Sequence, residues 1–253
     1  IESPLRSGKQ YRRELYCLLQ QIRVAIMSLR TSIECVLFDL DGTLVDTAPD
    51  FVIVVDQLLA EHDKLPIDTE LIYQTISDGV RALVKLAFDI TEEYESFAGL
   101  NQRLLDLYYE QLQDTQALLY PGMGDLLSEL DDADIGWGIV TNKPQKYSTL
   151  LLEKLNLLSR CKSLICPEHV VNRKPHPEPI LLACQQLGCG TERTVYIGDH
   201  IRDIQAAKNA DVIAIAAAYG YLGTDAKAEQ WYADFILHSA DQTESLLNML
   251  KFA

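Results

Sequence analysis

Val36-Leu37-Phe38-Asp39-Leu40-Asp41-Gly42-Thr43-Leu44-Val45-Asp46 decides how this chain is read. The apolar run leading into it, residues 33–38 with one polar break at Glu34, reads as a strand of a parallel sheet, where both faces are covered. It stops at two carboxylates one residue apart, followed by a glycine. Side chains alternate along a strand, so Asp39 and Asp41 share a side. Gly42 lets the backbone turn where a side chain would clash. Acids at the carboxyl end of a parallel strand stand where open α/β sheets bind their ligands. Taken alone, an Asp-x-Asp pair is more often a solvated acidic turn, so the rest of the chain has to carry the argument.

Working outward, the pattern after Asp46 turns helical. Phe51, Val54, Val55, Leu58 and Leu59 recur at three- and four-residue spacings and predict a helix over 48–61. Further helices are expected at 69–77, 79–88 and 91–113, with no convincing strand before residue 118. Tyr120-Pro121-Gly122 then punctuates a change of rhythm. Strands are predicted at 135–140, 163–166, 194–198, 212–217 and 235–237. Helices are predicted at 123–131, 144–155, 177–187, 202–209 and 241–250. Strands alternating with helices imply βαβ units, right-handed crossovers and a parallel sheet. The expectation is an α/β fold, a Rossmann-like parallel sheet core made of residues 31–47 and 119–253. An α-helical domain, residues 48–118, is inserted over the carboxyl end of the first strand.

The 253 residues are 48% hydrophobic and 23% charged, the composition of a globular protein with an ample core. The formal net charge of −15 argues against a nucleic-acid partner, because binding phosphate backbones needs a positive surface. It leaves room for a small-molecule phosphate ester, which a metal ion and a few local donors can hold. No apolar run approaches the roughly eighteen residues that span a bilayer, so no membrane segment is expected. The six cysteines, Cys17, Cys35, Cys161, Cys166, Cys184 and Cys189, form no Cys-x-x-Cys. They read as reduced thiols rather than a disulfide or zinc framework, and with no export signal they point to the cytoplasm. Residues 1–26 differ from the remainder, with Arg6, Lys9, Arg12, Arg13 and Arg23 against Glu2 and Glu14. A basic amphipathic helix over 11–29 or a processing artefact would each produce this, so 1–30 is treated as an extension outside the functional argument.

Three later strand ends change the weight of the first. Thr141 ends the strand at 135–140 and opens a helix, whose free amides favour an anion. Lys174 stands in Arg173-Lys174-Pro175-His176-Pro177, where prolines stiffen the loop and present one ammonium. Gly198-Asp199-His200-Ile201-Arg202-Asp203 puts one acid at a strand tip and another in the first turn of a helix. With Asp39 and Asp41 this makes four acids around one point, mutually repulsive unless a cation is shared. Oxygen-only ligands of this kind suit Mg²⁺.

Those four segments, in that order, match the motifs of the haloacid dehalogenase superfamily, and the chain resembles it over residues 33–240. Within it the chain resembles the helical-capped phosphoglycolate phosphatase group. Gly136-Trp137-Gly138-Ile139-Val140-Thr141-Asn142-Lys143-Pro144 and Leu164-Ile165-Cys166-Pro167-Glu168-His169-Val170 are most similar to bacterial members that act on the 6-phosphate of N-acetylmuramic acid in peptidoglycan recycling. The resemblance implies Asp39 as nucleophile, forming an aspartyl-phosphate, and Asp41 as acid and then base. It implies Thr141 and Lys174 on the phosphoryl oxygens. Mg²⁺ is implied on Asp39, the Asp41 carbonyl and Asp199, with Asp203 direct or through water. Gly42, Thr43, Asn142 and Arg81 are expected at the substrate, Arg81 facing a carboxylate. A haloacid dehalogenase would lack Asp41. A sugar phosphomutase shares the metal site but tends to carry a bulkier apolar residue at Thr43. A catalytically idle binding module sits poorly with four intact motifs.

Overall fold

A computed structural model describes residues 33–223 and 226–251 of the chain. The helix considered over 11–29 lies outside these residues. At the centre is a six-stranded sheet built from β1 (Cys35–Phe38), β4 (Gly136–Val140), β5 (Ser163–Ile165), β6 (Thr194–Gly198), β7 (Ile213–Ala217) and β8 (Phe235–Leu237). The strand order is β5-β4-β1-β6-β7-β8 and every pairing is parallel. β1 therefore has a neighbour on each side, with Leu37 opposite Gly138 and Tyr196.

The alternation expected of a doubly covered strand is visible in the core. Val36 and Phe38 pack on one face with Trp137, Ile139, Val195 and Ile197. Leu37 packs on the other with Val140, Tyr196, Ile180 and Ile204. All of these side chains are fully buried, and each contributes on the order of 1.5–3 kcal/mol of transfer free energy. Such two-sided burial is why the strands read as continuous apolar runs. The helices that cover the sheet are α5 (Met123–Asp132), α6 (Gln145–Lys154), α7 (Glu178–Leu187), α8 (Ile201–Asn209) and α9 (Gln242–Lys251).

Between β1 and α5 the chain leaves the sheet through α1 (Ala48–Ala60), α2 (Thr69–Thr75), α3 (Val80–Phe88) and α4 (Phe97–Gln111). Two details there were not foreseen. β2 (Val45–Asp46) and β3 (Leu118–Leu119) pair antiparallel where the chain leaves the core and returns, a ribbon too short to carry periodicity. The helix predicted from residue 91 begins at Phe97, because Asp89 turns left-handed at the end of α3 and residues 91–96 form turns.

The cysteines also need correction. Cys35 and Cys189 are joined as a disulfide across 154 residues, while Cys161, Cys166 and Cys184 are free thiols. No local spacing announces a pair brought together only when β1 meets the turn before β6. Cys17 lies outside the described residues. Among the described residues no helix is long and apolar enough to cross a membrane.

Candidate active site

Parallel packing of β1 beside β4 and β6 brings the ends of the three strands to one edge. Asp39 follows β1, its amide bonded to the Ile197 carbonyl at 2.8 Å. Asp199 follows β6. Asp203 sits in the first turn of α8, where its Oδ2 accepts from the His200 amide at 3.0 Å. Carboxylate oxygens of Asp39, Asp199 and Asp203 lie within 4.8 Å of one another. Gly42 makes this approach possible. Its φ of +78° suits glycine, and a side-chain carbon there would run into the Asp199 carboxylate and the Tyr221 ring.

One ammonium stands inside the acid cluster. Lys174 Nζ is 3.0 Å from Asp39 Oδ1 and 2.7 Å from Asp203 Oδ1, and it donates to the Val140 carbonyl and the Tyr196 hydroxyl at 2.9 and 2.8 Å. Burial alone would pull the lysine down, yet Asp203 and Asp39 override it and hold it above its usual value. The carboxylates respond to the same forces. Burial pushes Asp39 up to about 6, with Lys174 opposing and Asp203 adding. Burial, then Asp39 and Asp203, hold Asp199 far above the carboxylate range. Two buried carboxyls, a half-buried one and a single ammonium form a site short of positive charge. That donor set, hard oxygens only, fits a divalent cation such as Mg²⁺. Both oxygens of Asp203 are already engaged, by Lys174, Tyr196 and the His200 amide. Asp199 accepts only from neutral donors, the Thr43 and Ser77 hydroxyls and the Tyr221 amide, and among the described residues no hydrogen bond falls on Asp39 Oδ2, so these two are the more available ligands.

A cavity of about 620 Å³ opens over this cluster between the sheet and the helices at 48–114. Asp39, Asp41, Thr141 and Lys174 line its floor, and Ser77, Arg81 and Tyr108 line the opposite wall. Thr141 follows β4, and its hydroxyl accepts from the Lys143 amide at 3.1 Å. Asn142 also lines the cavity and donates to the Lys174 carbonyl at 3.1 Å, bracing the loop that carries the lysine. Gly42 and Thr43 lie apart from the cavity wall. Thr43 is buried behind the cluster, its hydroxyl 3.4 Å from Asp199 Oδ1. Arg81 reaches the rim, where it pairs with Glu92 and lies over the Phe97 ring.

Sequence reasoning passed over Lys143, although it follows Thr141 and Asn142 directly. Its ammonium pairs with Asp41 Oδ1 at 2.7 Å and with the Tyr108 hydroxyl at 2.6 Å. Nothing in a lysine's place after a motif tells which carboxylate it will meet. His200 and Arg202 were missed too; they reach Asp78 and the Ser77 carbonyl across the cavity edge.

This arrangement of sheet, acids and lysine is that of a known class. The sequence profile of the haloacid dehalogenase-like hydrolases matches residues 36–217, and the chain belongs to that family. It is 37% identical over 221 residues to the N-acetylmuramic acid 6-phosphate phosphatase of Pseudomonas aeruginosa, covering 87% of this chain and 96% of that one. A phosphoglycolate phosphatase of Xanthomonas campestris pv. campestris is 38% identical, with 82% and 93% covered. Among solved structures, a predicted phosphoglycolate phosphatase from Haemophilus somnus 129PT superposes with a TM-score of 0.75 at 25% identity, covering 86% of this chain and 99% of that one. The protein is thus a haloacid dehalogenase-like phosphatase.

Proposed function

We propose that the protein is a Mg²⁺-dependent phosphomonoester hydrolase working through an aspartyl-phosphate on Asp39. Its substrate is a small carboxylate-bearing or sugar phosphate, either N-acetylmuramic acid 6-phosphate or 2-phosphoglycolate. The observation that carries this reading is Lys174, bridging Asp39 and Asp203 beside Asp199 on the floor of a cavity that Asp41 and Thr141 share. Phosphoryl transfer is mainly positioning and charge stabilisation, which such a floor supplies.

Thr141 and Lys174 hold the phosphoryl oxygens against Asp39. An Asp39 oxygen bonds phosphorus as the ester P–O bond breaks, and Asp41 gives a proton to the departing alcohol oxygen. Asp41 then takes a proton from the water that attacks the aspartyl-phosphate, freeing inorganic phosphate and restoring Asp39. Asp39, Asp199 and the Asp41 carbonyl would hold the cation, with Asp203 behind through water; when bound it neutralises charge on the phosphoryl group. The helices at 48–114 act as a cap that excludes water from the intermediate. On the rim, a substrate carboxylate would compete with Glu92 for Arg81.

Phosphate release from p-nitrophenyl phosphate with and without Mg²⁺ tests the reaction class. A comparison of kcat/KM for the two named phosphates tests the substrate. Full activity in Asp39→Asn would overturn the covalent scheme.

A further inference from the structure

Lys143 belongs to the loop after β4, yet its ammonium is enclosed by the helices at 48–114. Its side chain is 7% exposed. The ammonium lies 4.5 Å from the centre of the Tyr108 ring and 5.3 Å from that of Phe51. Those two rings, from α4 and α1, stack with centroids 4.3 Å apart. A desolvated cation over an aromatic face is held by the ring quadrupole, more strongly than in water. The Tyr108 hydroxyl fixes the same ammonium at 2.6 Å. A side chain of the core is thereby seated in a corner made by the cap.

The other partner of Lys143 is Asp41. Asp41 Oδ1 receives both the ammonium, at 2.7 Å, and the Thr47 hydroxyl, at 2.6 Å. Among the described residues no hydrogen bond falls on Oδ2, while the carboxyl lines the cavity beside Asp39 and Thr141. One oxygen is held and the other is left for the substrate.

We propose that Lys143 is a positioning residue that ties the seating of the cap to the orientation of Asp41. Held at Tyr108 and Phe51, it fixes Asp41 Oδ1 so that Oδ2 faces the leaving oxygen. The inference rests on the role of Asp41 given above. As the Asp39–phosphorus bond forms and the ester P–O bond breaks, the proton on Oδ2 passes to the leaving alkoxide. Asp41 is left as a carboxylate already paired with the ammonium. When the cap lifts, Tyr108 and Phe51 move away from Lys143 and the hold on Asp41 loosens, so proton transfer is confined to the covered site.

The test exploits leaving groups. N-acetylmuramic acid 6-phosphate and 2-phosphoglycolate expel alkoxides that need a proton, whereas p-nitrophenolate leaves without one. Since kcat/KM reports only the steps through formation of the aspartyl-phosphate, Lys143→Met is expected to lower it for the alkyl esters about 100-fold more than for p-nitrophenyl phosphate, the scale of general-acid catalysis. Asp41→Asn added to Lys143→Met is expected to cost less than the same change in the wild-type background. Tyr108→Phe should show the same leaving-group dependence at about tenfold, and it carries the test if Lys143→Met does not fold. Equal losses on alkyl and aryl esters, or no loss on either, overturn the inference. Turnover of p-nitrophenyl phosphate by wild type, abolished in Asp39→Asn, shows separately that the phosphatase reading stands.

Discussion

Ser77 donates a 2.9 Å hydrogen bond to Oδ2 of Asp199, 122 residues away at the tip of β6. A residue of the inserted helices thus touches the acid cluster directly. The contact is reinforced from α8. Arg202 donates to the Ser77 carbonyl at 2.5 Å, and His200 Nε2 lies 3.4 Å from Asp78. The hydrogen bond from His200 holds the Asp78 carboxyl below its usual value. Ser77→Ala should loosen this seam without harming the fold. The expected result is a KM raised about threefold to tenfold, the scale of one net hydrogen bond, with an unchanged melting temperature. Steady-state kinetics beside a thermal melt decide it, and an unaltered KM would count against the seam.

Asp39→Asn should trade activity for stability. Burial holds the Asp39 carboxyl at about 6 against an ordinary 3.8. In the metal-free folded protein it therefore keeps a proton that the unfolded chain has already released. The penalty for ionising it is absent below pH 4, grows between pH 4 and 6, and is complete above. The variant removes that penalty, so it should be more stable than wild type by about 3 kcal/mol at pH 7.5 and indistinguishable near pH 4. Urea melts in EDTA at the two pH values measure this, and phosphate release should be abolished at both.

Lys174→Met should be damaging in a way that a cation partly repairs. The lysine side chain is 1% exposed, and its ammonium is the charge that Asp39 and Asp203 share. Removing it leaves buried carboxylates uncompensated, a loss on the order of 3–5 kcal/mol. Mg²⁺ should restore a larger share of stability to this variant than it adds to wild type. Denaturant melts with and without Mg²⁺ make the comparison, and a variant as stable as wild type would contradict the electrostatic account.

Chelation should silence the enzyme reversibly. With EDTA, hydrolysis is expected to stop and to return on adding Mg²⁺. The bound cation should raise the melting temperature with its concentration, as any ligand selective for the folded state does. Asp199→Asn should weaken Mg²⁺ binding measured by calorimetry more than Asp203→Asn, because Asp203 is already paired with the Lys174 ammonium while Asp199 accepts only from neutral donors.

The sequence by itself determined the sheet and the positions of its functional ends. Apolar runs at β1, β4, β6 and β7 are a local consequence of burial on both faces, so they stand in the sequence undiluted. The acids at Asp39, Asp41 and Asp199 follow directly from where those runs stop. Helix periodicity likewise marked α1, α7 and α8. The two-residue ribbon of β2 and β3 and the late start of α4 were hidden, one too short for a period and the other masked by helix-compatible residues in turns.

Tertiary structure alone decided which charges meet. Lys174 and Asp203 are 29 positions apart, Lys143 and Asp41 are 102 apart, and neither sequence spacing encodes a distance in space. The Cys35–Cys189 bond and the contact of Ser77 with Asp199 have the same character. Periodicity is written along the chain because burial acts on each residue in its own element. Pairing across elements depends on how the elements pack, and only the folded molecule settles that.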